Sequence, residues 1–591
     1  GVALAADLLF IGAQAGIVGI VDGPGHEAFV RNMLAGATGV DLVLLVIAAD
    51  EGVMPQTREH LAILDLLGVR GGVIALSKCD LVDRDWLDMV RDDVRTLVAR
   101  TPLADAAMIP TSVHTGEGLD ALRAALADAV RRVPARDSAD LFRVPIDRAF
   151  TVRGTGTVVT GTVWSGRLER EAVVRVLPGD RSARVRGLEA HGSSVDAALP
   201  ATRAAIALAG IDVDQVGRGS VLVSDEAWTA SLTLLADVAL LPTAPRTLGP
   251  RTSVRFHLGT SEIGARIVAA GGALTPGDRR MARVVLDAPV VARAGDRFVL
   301  RSASPLTTIG GGVVADPIPL ARRARPWATP AHNPIDRLSA ILDSDGTHGV
   351  AVASLPVRIG ATPHDVPGIV AACPLARQVG DCIYAEPVIE RLEQRFLALV
   401  NDHHATAPLE PGAPLQSVRL RTTTQPALGD LLVASLQRDG RITVSGALAM
   451  RRGWTPTLNA DARTARDALL QTLERAEREP PSSDELTQLH GAATMSLLKL
   501  LEREGHVVQI APDRFYATAA LERLIGALRI GMADGREHTP SELRELLGVS
   551  RKYLIPLLEY CDRAGLTERR ATGRVLGPRV PERRPEDLHF S

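Results

Sequence analysis

Asp22-Gly23-Pro24-Gly25-His26-Glu27 follows a short apolar run, residues 17–21, and opens a predicted helix. A carboxylate at the end of a strand can hold Mg2+ through water. A glycine amide can approach a γ-phosphate closely because no side chain intervenes. His26 comes next and is placed to position an attacking water. An Asp-x-x-Gly tetrapeptide alone is weak, since turns use those residues constantly. Asp-x-Pro-Gly-His at a strand end is far more specific. The stretch reads as the second half of a nucleotide switch, with Asp22 as the Mg2+ ligand and Gly25 on the phosphate.

Two more elements follow in order. Ser77-Lys78-Cys79-Asp80 comes directly after the apolar run 73–76. Asp80 can accept both the N1 and N2 protons of guanine, which adenine cannot offer, and Lys78 can pack over the base. In Thr111-Ser112-Val113, the backbone of Ser112 and Val113 can contact guanine O6. GTP with Mg2+ is the cofactor these elements predict. The first half of the switch is not in the sequence. No Gly-x-x-x-x-Gly-Lys-Ser/Thr loop precedes Asp22, and the chain starts at Gly1 rather than at a methionine.

Around these motifs, residues 1–136 alternate apolar runs with helical spacing. Runs 17–21, 41–47 and 72–76 are short and continuous, as expected of buried parallel strands. Segments 57–67 and 87–99 carry helical spacing. The alternation predicts a doubly wound α/β domain. From about 140 to 325 the chain turns to short alternating runs rich in Val, Thr, Gly and Arg, which predict one or two β-barrels. Five prolines between 317 and 334 mark a linker. Beyond it, helix, turn, helix and small hairpin recur, most clearly over 481–516 and 540–576. That is the winged-helix pattern. Residues 335–385 and 389–453 read the same way.

Bulk properties fit several soluble domains. Length alone predicts roughly three to six. Apolar content is 46% and net charge −2, so no global field advertises nucleic acid and any such surface must be a local patch. Four scattered cysteines read as free thiols in a reducing cytosol. No run of about 18 apolar residues spans a membrane.

The switch motif, with Asn32-Met33-Leu34-Ala35-Gly36 and Gln56-Thr57-Arg58-Glu59-His60, closely resembles the translational GTPases. Within them the chain is similar to the bacterial selenocysteine-specific elongation factors. The resemblance runs through Ile146-Asp147-Arg148-Ala149-Phe150 and reaches Ser550-Arg551-Lys552-Tyr553-Leu554, and so covers nearly the whole chain. It implies a multidomain fold: an α/β doubly wound GTPase domain lacking the phosphate loop (1–136) and two β-barrels (137–228 and 229–325). Four tandem winged helices follow (326–388, 389–455, 460–520 and 521–580). It also implies GTP hydrolysis with His26 positioning water, selenocysteyl-tRNA, the ribosome and an mRNA hairpin as partners, and a monomer in the cytoplasm.

The sequence departs from that pattern in three places. The phosphate loop is absent. The Thr that ligates Mg2+ in the first switch becomes Ala3, and the guanine motif has Ser77 where relatives show Asn or Thr. Nucleotide binding by the chain as it stands is expected to be badly weakened. A truncated start or a decayed gene would account for the missing loop, but Ala3 lies inside the chain, which truncation does not explain, and so favours decay. Decay would leave a GTPase-inactive RNA-binding remnant.

The resemblance also places the aminoacyl pocket. Where elongation factor Tu-like proteins have acidic residues and a neutral amide, this chain has Asp147-Arg148 and Arg203. Two guanidiniums facing one pocket suit a selenolate, which is ionised at neutral pH, and reject neutral side chains. His191 adds a donor. In the last winged helix, Ser550 is the expected N-cap. Arg551, Lys552 and Tyr553 crowd the first turn of the recognition helix, and Arg569, Arg570 and Arg574 sit on the wing. This basic patch is the expected hairpin contact, through backbone phosphates and a splayed loop base.

Overall fold

The computed structural model describes residues 8–14, 17–23, 40–134, 136–321, 323–455 and 458–577. The chain divides into two compact units after Ile389.

The first unit begins with a five-stranded sheet: β1 (Leu8–Gln14), β2 (Ile17–Gly23), β3 (Leu42–Ala48), β4 (Gly72–Ser77) and β5 (Ala107–Pro110), ordered β2-β1-β3-β4-β5. β3, β4 and β5 are parallel. Their side chains alternate between two layers, as the strand period requires. Val43, Leu45 and Ile47 face one core with Leu61 and Leu64 of helix α1 (Pro55–Leu67) and Val90, Val94 and Val98 of α2 (Arg84–Val98). Leu42, Leu44, Val73 and Ala75 face the other, against α3 (Leu119–Arg131). Helices cover both faces, so the domain is doubly wound. The parallel reading of 17–21 is corrected. β2 pairs antiparallel with β1, and β1 antiparallel with β3. Two strands joined by only two residues can pair only as a hairpin.

Strands 143–152, 156–162, 173–177, 181–190, 203–209 and 221–223 form a ring, closed by pairing of 181–190 with 173–177. Its interior holds Val144, Ile146, Val159, Leu188 and Ile206. The next six strands, from Ala230–Leu240 to Thr308–Asp316, close a second barrel around Phe256, Phe298 and Leu300. The proline-rich linker is pinned rather than loose: Trp327 is buried and its Nε1 donates to Ser344 Oγ at 3.1 Å. A buried ion network holds the first winged helix to the second barrel. Arg358 pairs with Asp316 at 2.7 Å and Asp345 at 2.5 Å.

Helices with terminal hairpins recur four times, beginning with Pro334–Asp345 in the first unit. The second group starts with helix Glu386–Thr406, which runs across the division, and the third and fourth start in the second unit at Ala460–Ala476 and Thr518–Gly531. The third hairpin serves two cores, because alternate residues point opposite ways. Phe515 packs into the third group and Tyr516 into the fourth. All four cysteines are free. Among the described residues no helix is long and apolar enough to cross a membrane.

Candidate functional site

The guanine candidates gather where β4 and β5 end, at the carboxyl edge of the parallel strands where α/β sheets form their ligand crevices. The backbone ties the two loops together. Thr111 N donates to the Leu76 carbonyl at 2.7 Å and Cys79 N to the Thr111 carbonyl at 3.2 Å. Asp80 is exposed and meets the Ser112 hydroxyl, whose hydrogen bond holds its carboxyl below the ordinary range. Asp80 is therefore an ionised acceptor at neutral pH, and this fits a purine with adjacent N–H donors. Ser112 is buried and its hydroxyl also accepts from Thr115 N at 3.0 Å, while Val113 is exposed. Ser77 Oγ reaches the Ile47 carbonyl at 3.5 Å.

Lys78 sits at φ 59, in the left-handed region. Its Nζ lies 3.1 Å from Asp50 and 3.7 Å from Glu51. These carboxylates raise its pKa, the hydrogen bond to Asp50 most. Asp50 and Glu51 were missed in the sequence; their only signal is their place just beyond β3. Trp86 was also missed, and its Nε1 donates to the Ala49 carbonyl at 2.8 Å. Asp22 stands opposite Leu9 near the end of β2. Gly25, His26 and Ala3 lie outside the described residues.

The aminoacyl candidates lie on the first barrel. Arg148 pairs across with Thr160, and Arg203 with Thr162. Thr160 and Thr162 are two apart on one strand, so both arginines share the outer face. The register shifts between Ile146 and Arg148. A bulge re-aims neighbouring side chains, and Asp147 joins the same face, where it accepts from Thr160 Oγ1 at 2.6 Å. Asp147 also takes Arg203 Nη1 at 2.6 Å. Arg203 therefore has a carboxylate partner within the group of candidates. Exposed His191, at φ 52, follows the Ala190↔Ala204 pair and so comes level with Arg203.

On the last winged helix, Arg551, Lys552 and Arg569 are exposed. Ser550 occupies the N-cap position of helix Arg551–Arg563, but its side chain makes no capping bond. Its backbone N–H goes instead to Glu479 Oε1 at 2.6 Å. Tyr553 is half-buried, with the Arg514 guanidinium 4.8 Å from its ring centroid. Arg570 is exposed and paired with Glu568 at 3.0 Å. Arg574 departs from the expected surface role. It is buried and bonded to Asp562 at 2.9 Å, so it braces the wing rather than facing solvent.

Family models match along the chain in the same order as these domains. The elongation factor Tu GTP binding domain matches residues 9–132 and elongation factor Tu domain 2 matches 156–223. The β-barrel domain of the selenocysteine-specific elongation factor matches 235–321, and the winged helix of elongation factor SelB matches 532–576. Fold and models together define a translational GTPase with a winged-helix extension. The selenocysteine-specific elongation factor of Desulfomicrobium baculatum is 33% identical over 93% of this chain and 90% of its own length. That of Escherichia coli is 30% identical over 95% and 90%. The chain belongs to the selenocysteine-specific elongation factors. The crystal structure of a bacterial factor of that name shares the fold, with a TM-score of 0.64 at 22% identity over 97% of this chain and 93% of its own.

Proposed function

We propose that this protein delivers selenocysteyl-tRNA to the ribosome at recoded UGA codons, in a GTP- and Mg2+-dependent cycle in the cytoplasm. The relatives' name supports the class of cargo. The observation that carries the reading is the bulge between Ile146 and Arg148, which sets Asp147 and Arg148 on the face that also holds Arg203. The net charge there is positive, which suits a selenolate and penalises a neutral serine side chain. Arg148 is the first contact for the selenolate; Arg203 and His191 complete the shell. Asp80 holds the guanine N–H groups, with Ser112 orienting its carboxylate, Lys78 over the base, and Ser77 and Val113 in the surrounding loops. Asp22 is the carboxylate for Mg2+, Gly25 the amide for the γ-phosphate, and His26 the residue that orients water. Bound GTP with Mg2+ supplies the phosphoryl chemistry. The exposed Arg551, Lys552 and Arg569 meet the phosphates of an mRNA hairpin.

Filter binding with one tRNA body charged with selenocysteine or serine tests this, with and without GTP and the hairpin. Delivery predicts selenocysteine-selective binding that GTP strengthens. Hairpin binding that ignores GTP, with no tRNA selectivity, would identify an RNA-binding remnant instead.

A further inference from the structure

A cavity of about 220 Å3 lies where the second barrel meets the first winged helix. Arg279 and Arg297 are its exposed lining residues, the Arg297 head reaching away to the Leu66 carbonyl at 3.4 Å, and Asp237 and Arg337 belong to its buried lining. Arg337, on helix Pro334–Asp345, is only 8% exposed. Its Nη1 donates to the Ile359 carbonyl at 2.9 Å and its Nη2 to the His332 carbonyl at 3.3 Å. Its Nε–H meets no acceptor, and among the described residues the guanidinium makes no ion pair. Burial pulls its pKa down, and the neighbouring Asp336 charge opposes this only in part.

Asp237 is 6% exposed, on strand Ala230–Leu240. Arg279 approaches it with Nε at 2.9 Å and Nη2 at 2.7 Å, and both contacts fall on Oδ2. Oδ1 is buried with no donor. The cavity thus lacks an acceptor for one buried cation and a donor for one buried carboxylate oxygen. Buried polar atoms are seldom left so.

We propose that this cavity binds a protonated phosphate, which offers both groups at once. Its O–H donates to Asp237 Oδ1, and its anionic oxygens accept from Arg337 Nε and from the Arg279 guanidinium. Inorganic phosphate keeps a proton near neutral pH, whereas a monoester, with a second pKa of about 6, has mostly lost it. Sulfate has the same shape and no proton, so its oxygen would face Asp237 as a like charge. Asp237 is therefore the selectivity residue. Water could bridge the two bare atoms but would leave the Arg337 charge uncompensated.

Isothermal titration calorimetry of the whole chain with inorganic phosphate, sulfate and glycerol 3-phosphate, at matched ionic strength, tests the site. Phosphate should bind at least tenfold more tightly than sulfate. Asp237→Asn should erase that preference, because its amide can donate to sulfate. Arg337→Met should weaken both anions, with Arg337→Lys as the second variant if the first loses its circular dichroism signal. Glycerol 3-phosphate, mostly without that proton, should bind more weakly than inorganic phosphate, and equally tight binding of the two would count against the Asp237 contact. Equal affinity for phosphate and sulfate, no anion binding, or a preference that survives Asp237→Asn would overturn the proposal.

Discussion

Asp147 Oδ2 lies 2.6 Å from Arg203 Nη1, and Thr160 donates to its other oxygen, also at 2.6 Å. The carboxylate therefore competes with any anionic guest for Arg203. The Arg203 side chain is 46% exposed and that of Asp147 20%, so the pair is partly screened and worth about 1 kcal/mol. Asp147→Asn should raise affinity for selenocysteyl-tRNA about threefold to tenfold, steepen its salt dependence, and leave seryl-tRNA unimproved. Filter binding at two ionic strengths measures this. A fall in selenocysteyl affinity would instead make Asp147 the group that holds Arg203 in place.

On the proposed function Asp80 accepts two N–H protons of the base, and the Ser112 hydroxyl holds its carboxyl below the ordinary range. Asp80→Asn presents a donor where guanine also has one. Affinity should fall for guanosine nucleotides and rise for xanthosine nucleotides, whose 2-oxo group accepts. Fluorescent nucleotide titration reads the swap; unchanged guanosine preference would remove Asp80 from the site.

The two arginine roles in the last winged helix separate cleanly. Arg551→Ala with Lys552→Ala should cut hairpin affinity by about 1–3 kcal/mol and flatten its salt slope, with the melting temperature unchanged. Arg574→Ala removes the partner of Asp562 and should cost about 1–3 kcal/mol of stability. Gel shift and thermal melts of both variants distinguish them.

Glu542 gives this helix pair a pH dependence of known sign. It closes a capping box with Thr539, whose backbone N–H lies 2.7 Å away and does most to hold the carboxyl down, from 4.5 to about 2. A lowered pKa means stability fully present above pH 4.5 and lost as pH falls towards about 2. The last winged helix should therefore lose stability over that window, and Glu542→Gln should flatten the loss, as read by circular dichroism melts.

Much of this was legible in the sequence because it is local. Alternating apolar runs announced the sheet, and the helix, turn, helix and hairpin spacing over 540–576 announced the last winged helix. The motif ends at Asp80 and Ser112 sit side by side because parallel strands place successive loops on one edge. Other features depend on register or on distant partners. The bulge at Ile146/Arg148, which puts Asp147 on the face where it meets Arg203, leaves no mark in spacing. Arg574 looked like a wing contact because it stands beside Gly573, yet Asp562, twelve residues earlier, claims it. The β1–β2 hairpin was hidden because an apolar run has no direction.

The central claim is that charge on the first barrel selects the cargo. The most direct measurement is protection of the aminoacyl ester from hydrolysis on one tRNA body charged with selenocysteine, cysteine or serine, with wild type and Arg148→Ala. Wild type should protect the selenocysteyl ester at least tenfold more strongly than the others, and Arg148→Ala should bring that protection down to the seryl level. Equal protection of all three esters by wild type, or selectivity that survives Arg148→Ala, would contradict it.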